Sequence, residues 1–194
     1  MEVIMRVILA SASPRRRELL GQLGIEFEVC PARGEEEVTK DKPEEVVKEL
    51  AVQKAREIAQ QMKTNEKIRV IGADTIVVFQ DTIFGKPVDD EDALRMLTLL
   101  QGNTHQVYTG VCVIDMIDGV CTEKIFAEKT DVVMYPATEE ELRAYIAIGE
   151  GRDKAGSYAI QGISGKFIKG IIGDYYNVVG LPMARLYQEC FRTI

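Results

Sequence analysis

The chain has 194 residues, 46% hydrophobic and 28% charged, which suits one large domain or two packed lobes with a sizeable core. A formal net charge of −7 argues against non-specific binding to nucleic acid or an anionic membrane, although a local cluster of Lys and Arg can still hold a small polyanion. No apolar run is long enough to span a bilayer, and Val7 to Ala10 is too short for a signal-peptide core, so no membrane partner and a cytoplasmic location are expected.

In chain order, Val7 to Ala10 reads as a short strand, and Ser13-Pro14 is an N-cap and first-turn pair that starts a helix ending at Gly24. A second strand follows near Phe27 to Cys30. Pro43 then opens a long helix to about Met62, with Val47, Leu50, Ala51, Ile58 and Met62 on its apolar stripe and Lys54 on that same stripe. Arg69 to Ala73 and Ile76 to Phe79 are strands, interrupted or continued through Asp74-Thr75. Asp89 to Gln101 is a helix with acids at its start and Gly102 at its end. Gln106 to Met116 and Val120 to Met134 pair as a hairpin across Asp118-Gly119. Thr138 and Glu141 form a capping box for a helix to about Ile148. The glycine-rich stretch from Gly149 to Gly173 suggests short strands at Tyr158 and around Phe167, and a closing helix lies between Asn177 and Cys190. The mixture predicts a unit with helices and long antiparallel strands.

Cys30, Cys112, Cys121 and Cys190 show no Cys-x-x-Cys spacing, and His105 is the only histidine, so neither a disulfide framework nor a zinc site is expected. Reduced, mostly buried thiols are the simpler reading.

Several residues could carry chemistry. A strand running into Ser13-Pro14-Arg15-Arg16 offers the unpaired N–H groups of a helix N-terminus with arginines beside them, which suits a phosphate as well as an ordinary capped helix. Lys54 must snorkel, pair with an acid, or face a ligand. Asp74, at or near the end of a buried strand, is a metal ligand, a general base or a hydrogen-bonded turn residue. Lys86 sits in a turn where it meets a phosphate or solvent. One of Glu35, Glu36 and Glu37 could hold a metal, though such a run is usually a solvated loop. There is no Walker-type loop, and His105 lies in a polar Asn103-Thr104-His105 turn, so no Ser-His-Asp system is expected. Composition and spacing reach a phosphate-handling protein and stop there.

Longer motifs go further. Leu9-Ala10-Ser11-Ala12-Ser13-Pro14-Arg15-Arg16 is followed by Gly72-Ala73-Asp74-Thr75, Gly85-Lys86-Pro87 and Thr104-His105-Gln106-Val107. Asp153-Lys154-Ala155-Gly156, Tyr158-Ala159-Ile160-Gln161-Gly162 and Gly173-Asp174-Tyr175-Tyr176-Asn177-Val178-Val179-Gly180-Leu181-Pro182 complete the order. In these segments, over almost the whole chain, the sequence resembles the Maf family of nucleotide pyrophosphatases, and Tyr-Ala-Ile-Gln-Gly is similar to its dTTP/UTP subgroup.

The resemblance implies a single domain over residues 1–194: an α/β fold with an elongated, bent mixed sheet flanked by helices, in two lobes with a central cleft. It implies Asp74 as proton acceptor and Arg15, Thr75 and Gln161 as positions that set substrate choice. Ser13, Arg16, Lys54 and Lys86 would line the phosphate path. Glu36, with Asp74, would bind a divalent cation, Mg²⁺ or Mn²⁺. The implied activity is hydrolysis of dTTP and UTP, and of modified pyrimidine nucleotides, to the monophosphate and pyrophosphate. The family also carries a different class of role, a nucleotide-binding inhibitor of septum formation without essential catalysis, and pyrophosphate release separates the two. Its partners would be a nucleoside triphosphate and, in a homodimer, a second copy, with no stable nucleic-acid partner.

Overall fold

The apolar runs become strands of one mixed sheet in the computed structural model, which describes residues 5–62 and 66–192. The chain forms β1 (Arg6–Leu9), α1 (Pro14–Gln22), β2 (Glu28–Val29), α2 (Pro43–Ala59), β3 (Ile68–Phe79) and β4 (Thr82–Phe84). It continues through α3 (Asp90–Leu100), β5 (Thr104–Ile117), β6 (Val120–Met134), α4 (Glu139–Ile148), β7 (Ile168–Ile172), α5 (Tyr175–Val179) and α6 (Met183–Cys190). The seven strands run in the order β2-β1-β3-β5-β6-β7, with β4 paired to β3. β1 lies parallel to β2 and β3, where helices provide the crossovers, whereas β4 and β7 pair antiparallel with β3 and β6. The fold is therefore mixed α/β, as the sequence implies. Among the described residues, no helix is long and apolar enough to cross a membrane.

Local signals set most boundaries. Ser13 caps α1 by accepting the Arg16 N–H, Asp89 caps α3, and Thr138 and Glu141 complete the capping box of α4. Asp118 and Gly119, with φ of 51° and 82°, make the two-residue turn between β5 and β6. A second hairpin, β3 to β4, turns on Gln80 and Asp81, both at positive φ. It carries no glycine, which is why the sequence pattern passes over it.

The structure departs from the sequence reading elsewhere. β3 is one continuous strand, so Asp74 sits in mid-strand rather than at a strand end. Tyr158 is not in a strand: it follows the 3-10 turn Ala155–Ser157, and Phe167 ends a second one, Ile163–Phe167, before β7 begins. The expected closing helix is α6, and a further short helix, α5, precedes it across Gly180-Leu181-Pro182. Of the four free thiols only Cys112 is buried, with burial pushing it up to about 12, while Cys121 is exposed.

The chain divides into two compact units. The first runs up to Asp74 and adds Thr109–Glu128 and the residues from Gly180 onward. Its core joins Ile8 and Ala10 with Ala51, Ala55 and Ile58 of α2 and Ile68, Val70, Cys112 and Ile114 of the strands. Here α2 rests on bare backbone. A Cβ on Gly72 would lie 2.4 Å from the Ala51 carbonyl oxygen, and one on Gly110 would lie 2.2 Å from that of Val47.

The second unit comprises Thr75–Tyr108 and Lys129–Val179, with Leu97, Leu100, Val107, Met134, Leu142, Tyr145 and Phe167 in its core. His105 belongs to it, and its position corrects the expected polar turn. Thr104 already starts β5, and the period of two turns His105, Val107 and Thr109 inward. The imidazole is fully buried, with Nε2 2.7 Å from the Tyr158 hydroxyl. Burial lowers its pKa to about 4, against an opposing pull from Asp131.

Two outcomes follow. Gly110→Ala and Gly72→Ala should each lower the unfolding free energy by about 1–3 kcal/mol, the usual cost of overpacking. Gly21→Ala, in α1 with nothing near its Cβ position, should instead raise it by about 0.5–1 kcal/mol. Urea unfolding of the three variants decides this. For His105, the unfolded chain takes up a proton near pH 6.5 and the folded chain only near 4, so stability is complete above that window and falls as pH drops through it. The loss should reach about 3 kcal/mol relative to His105→Gln, measured by denaturant unfolding across the window.

Candidate active site

The glycine contacts of α2 fix what its neighbouring side chains can reach. Ala51 and Ala55 sit over Gly72, and Lys54 lies between them on the same helical face. Its ammonium therefore meets β3 two residues further along. Lys54 Nζ is 2.5 Å from Asp74 Oδ1 and 2.9 Å from Glu36 Oε1. The Lys54 and Asp74 side chains are 18% and 14% exposed, whereas Glu36 is half open to solvent. Of the options open to a lysine on an apolar stripe, pairing with acids is the one realised.

Glu36, rather than Glu35 or Glu37, is the loop acid that pairs with Lys54. The sequence reading missed the reason. Glu49, Gln53 and Glu57 recur every fourth residue along α2 and take hold of the loop in reverse order. Glu57 accepts the Arg33 and Gly34 N–H groups at 2.8 and 2.9 Å. Gln53 accepts the Glu37 N–H at 3.0 Å and donates to its carbonyl at 2.6 Å, and Glu49 accepts the backbone and hydroxyl of Thr39. These bonds hold the Glu49 and Glu57 carboxyls below the usual range. The signal was present as an i, i+4, i+8 polar row facing a loop of matching length.

The register of Leu9 against Ile71 brings the chain out of β1 beside the stretch of β3 that leads to Asp74. There the buried Ser11 accepts the Ser13 N–H at 3.2 Å and a guanidinium N–H of Arg16 at 3.3 Å. Arg16 also donates through Nε to the Gly180 carbonyl at 2.8 Å. Its pKa is lowered chiefly by burial, while the Asp74 charge opposes the shift, Arg15 adds to it and Glu36 opposes it. The guanidinium thus lies within electrostatic reach of both acids, and its Nε–H ties α1 to the Gly180 turn. Ser11 and Gly180 are participants that the sequence reading did not single out.

Arg15, half-buried in the first turn of α1, belongs to the first unit, and the remaining predicted residues belong to the second. Thr75 follows Asp74 along β3 and is half-buried. Lys86 is exposed in the bend after β4, where the preceding Gly85 carbonyl accepts the Gly156 N–H at 3.0 Å. Gln161 is exposed on a turn before the 3-10 segment Ile163–Phe167. Among the described residues, no group of three or more His, Cys, Asp or Glu side chains is placed to hold a metal ion.

A family model described as Maf-like protein matches residues 6–192. The chain belongs to the Maf family. Its Maf relatives include a protein of Agathobacter rectalis named dTTP/UTP pyrophosphatase, 56% identical over 196 residues, with 95% of both chains covered. A second of the same name, from Lachnoclostridium phytofermentans, is 49% identical over 185 residues, covering 95% of this chain and 93% of its own. A remote likeness, with a TM-score of 0.41 and 16% identity, covers 67% of this Maf chain and 74% of a nucleoside-triphosphatase/dITP/XTP pyrophosphatase from Mycobacterium abscessus.

Arg16→Lys keeps the charge in this Maf chain but cannot reach Ser11 and Gly180 together. It should cost about 1–3 kcal/mol of stability, the range for hydrogen bonds to charged groups. Urea unfolding beside Arg17→Lys, an exposed neighbour expected to stay within about 0.5 kcal/mol of the parent, checks this.

Proposed function

We propose that the protein hydrolyses pyrimidine nucleoside triphosphates, dTTP and UTP, between the α and β phosphates, giving the monophosphate and pyrophosphate. The observation that carries this is the Lys54 ammonium held between Asp74 and Glu36 in a member of the Maf family. The names of the relatives supply the substrates.

The chemistry needs a base for water and cations for a triphosphate. Asp74 takes the proton from the attacking water as oxygen bonds to the α-phosphorus. The α–β bridging bond then breaks, and pyrophosphate leaves with the electron pair. A carboxylate already engaged by an ammonium is a hindered base. An arriving triphosphate offers Lys54 competing acceptors, so the lysine turns toward the phosphates and exposes the Asp74 oxygen. Arg15 and Lys86 add neutralising charge, Arg16 and the Ser13 cap hold the α1 terminus in place, and Thr75 adjoins the base. Gln161 reads the pyrimidine edge, because an amide offers both the donor and the acceptor that complement a 4-oxo group and N3–H.

Asp74 and Glu36 are hard oxygen donors gathered on a single ammonium, and they fit Mg²⁺ or Mn²⁺, which take few protein ligands and fill the rest with water and phosphate oxygens. When bound, the cation would supply charge neutralisation at the phosphates.

Asp74→Asn should lower kcat by about 10²–10⁴, the contribution of a positioned general base, with folding and nucleotide binding retained. Pyrophosphate release from a panel of nucleoside triphosphates with Mg²⁺, beside circular dichroism and binding, tests this. Near-full turnover by the variant would remove Asp74 as the base, and a preference outside dTTP and UTP would remove the assigned substrates.

A further inference from the structure

A side chain that reads a base edge works only if the backbone beneath it is held. Gln161 stands exposed on a turn whose two ends are buried, Ala159 on one side and Ser164 on the other. Ser164 ties those ends together. Its hydroxyl donates to the Ala159 carbonyl at 2.7 Å and accepts the Ala159 N–H at 2.9 Å. The Gly162 N–H closes the turn onto the same carbonyl at 2.9 Å. Ile160 packs against the core.

A second clamp comes from outside the turn. Glu150 follows the left-handed Gly149 that ends α4, and the Lys154 ammonium bonds the Glu150 carbonyl, so the carboxylate starts from a fixed point. It spends both oxygens on the turn. Oε1 accepts the Ile163 N–H at 2.9 Å and Oε2 the Ser164 N–H at 3.3 Å. A Cβ on Gly162 would lie 2.1 Å from Oε1, so a larger residue beside Gln161 would displace the carboxylate from the turn. Burial pushes the Glu150 carboxyl up, and the Ile163 and Ser164 amides, with the Tyr145 hydroxyl and the Lys154 charge, together more than offset it. A neutral acceptor could take one of these N–H groups. Receiving both on two separate oxygens of one side chain requires a carboxylate.

We propose that Glu150 is a positioning residue for base recognition: its carboxylate fixes the turn so that Gln161 presents its amide to the 4-oxo and N3–H edge of a pyrimidine. This rests on the reading of Gln161 given above.

The test uses Glu150→Gln, Glu150→Asp, Gln161→Ala and the Glu150→Gln/Gln161→Ala pair. Each is assayed for pyrophosphate release from dTTP, UTP and dCTP, whose 4-amino group and bare N3 reverse the donor and acceptor, with thermal unfolding recorded in parallel. In Glu150→Gln one oxygen becomes a donor facing an N–H. Its kcat/KM for dTTP and UTP should fall about 10-fold or more through KM, with kcat within about 2-fold of wild type. The preference for dTTP over dCTP should shrink, and the double variant should lose no more preference than Gln161→Ala alone. Glu150→Asp keeps the charge with a shorter reach and should shift the preference in the same direction by less. An unchanged preference in Glu150→Asp overturns the proposal even if Glu150→Gln does not fold, as does a fall in melting temperature or kcat with preference intact. A Gln161→Ala enzyme that keeps the wild-type preference would instead overturn the reading of Gln161 itself.

Discussion

The approach of α2 to the backbone of β3 and β5 is the constraint on which the first unit depends. A helix separated from a sheet by ordinary side chains stands about 10 Å away, and a lysine on its flank ends in solvent or against apolar neighbours. Gly72 and Gly110 remove that spacing at two adjacent strands. Lys54 then arrives at Asp74 with its side chain largely buried and its ammonium already in contact with a carboxylate. The same closeness leaves the opposite flank of α2 available to Glu49, Gln53 and Glu57, which carry the loop that delivers Glu36. Packing comes first here, and the electrostatics follow from it.

The ion pair that results is not a stability device. A pair this shielded gains attraction but loses hydration on both partners, and replacing such pairs by apolar groups is often neutral or favourable. Removing one partner is the damaging change, because the other is left uncompensated. An arrangement that costs about as much as it returns is a poor staple but a good exchange site. The ammonium can leave one set of oxygens for another at little net cost, provided the incoming oxygens carry charge. A triphosphate satisfies that condition.

What the sequence made legible was local. The caps of α1, α3 and α4, the Asp118-Gly119 turn and the apolar run of β1 each lie within a few residues of their cause. Lys54 was visible as an anomaly because it broke a stripe. What stayed hidden depends on partners far along the chain. His105 looked like a turn residue until the pairing of β5 turned its face inward and Tyr158, 53 residues away, came to meet it. The choice among three adjacent glutamates needed the α2 row, and the role of Glu150 needed a turn 13 residues on. Arg16 shows a third case. Its motif was legible, but the long-range bond to Gly180 gives it a structural task that the motif alone does not reveal.

These contacts also answer a question posed by composition, namely how a chain of net charge −7 can suit a polyanionic substrate. Net charge is a sum over the whole molecule, and a ligand responds to the local field. Several of the acids near the candidate site residues face backbone amides or cations of the protein. Glu49 and Glu57 are turned onto loop N–H groups, Glu150 onto the turn of Gln161, and Glu36 and Asp74 onto Lys54. A carboxylate that accepts two N–H bonds has its charge partly balanced by fixed dipoles, and it repels a phosphate less than a free one does. The acids therefore build the frame, and in the proposed reaction the phosphate would meet amides, hydroxyls and cations. On this view a basic surface is unnecessary. Under the proposed reaction, the negative groups are occupied first, and the pair that it would undo is one a triphosphate can exchange.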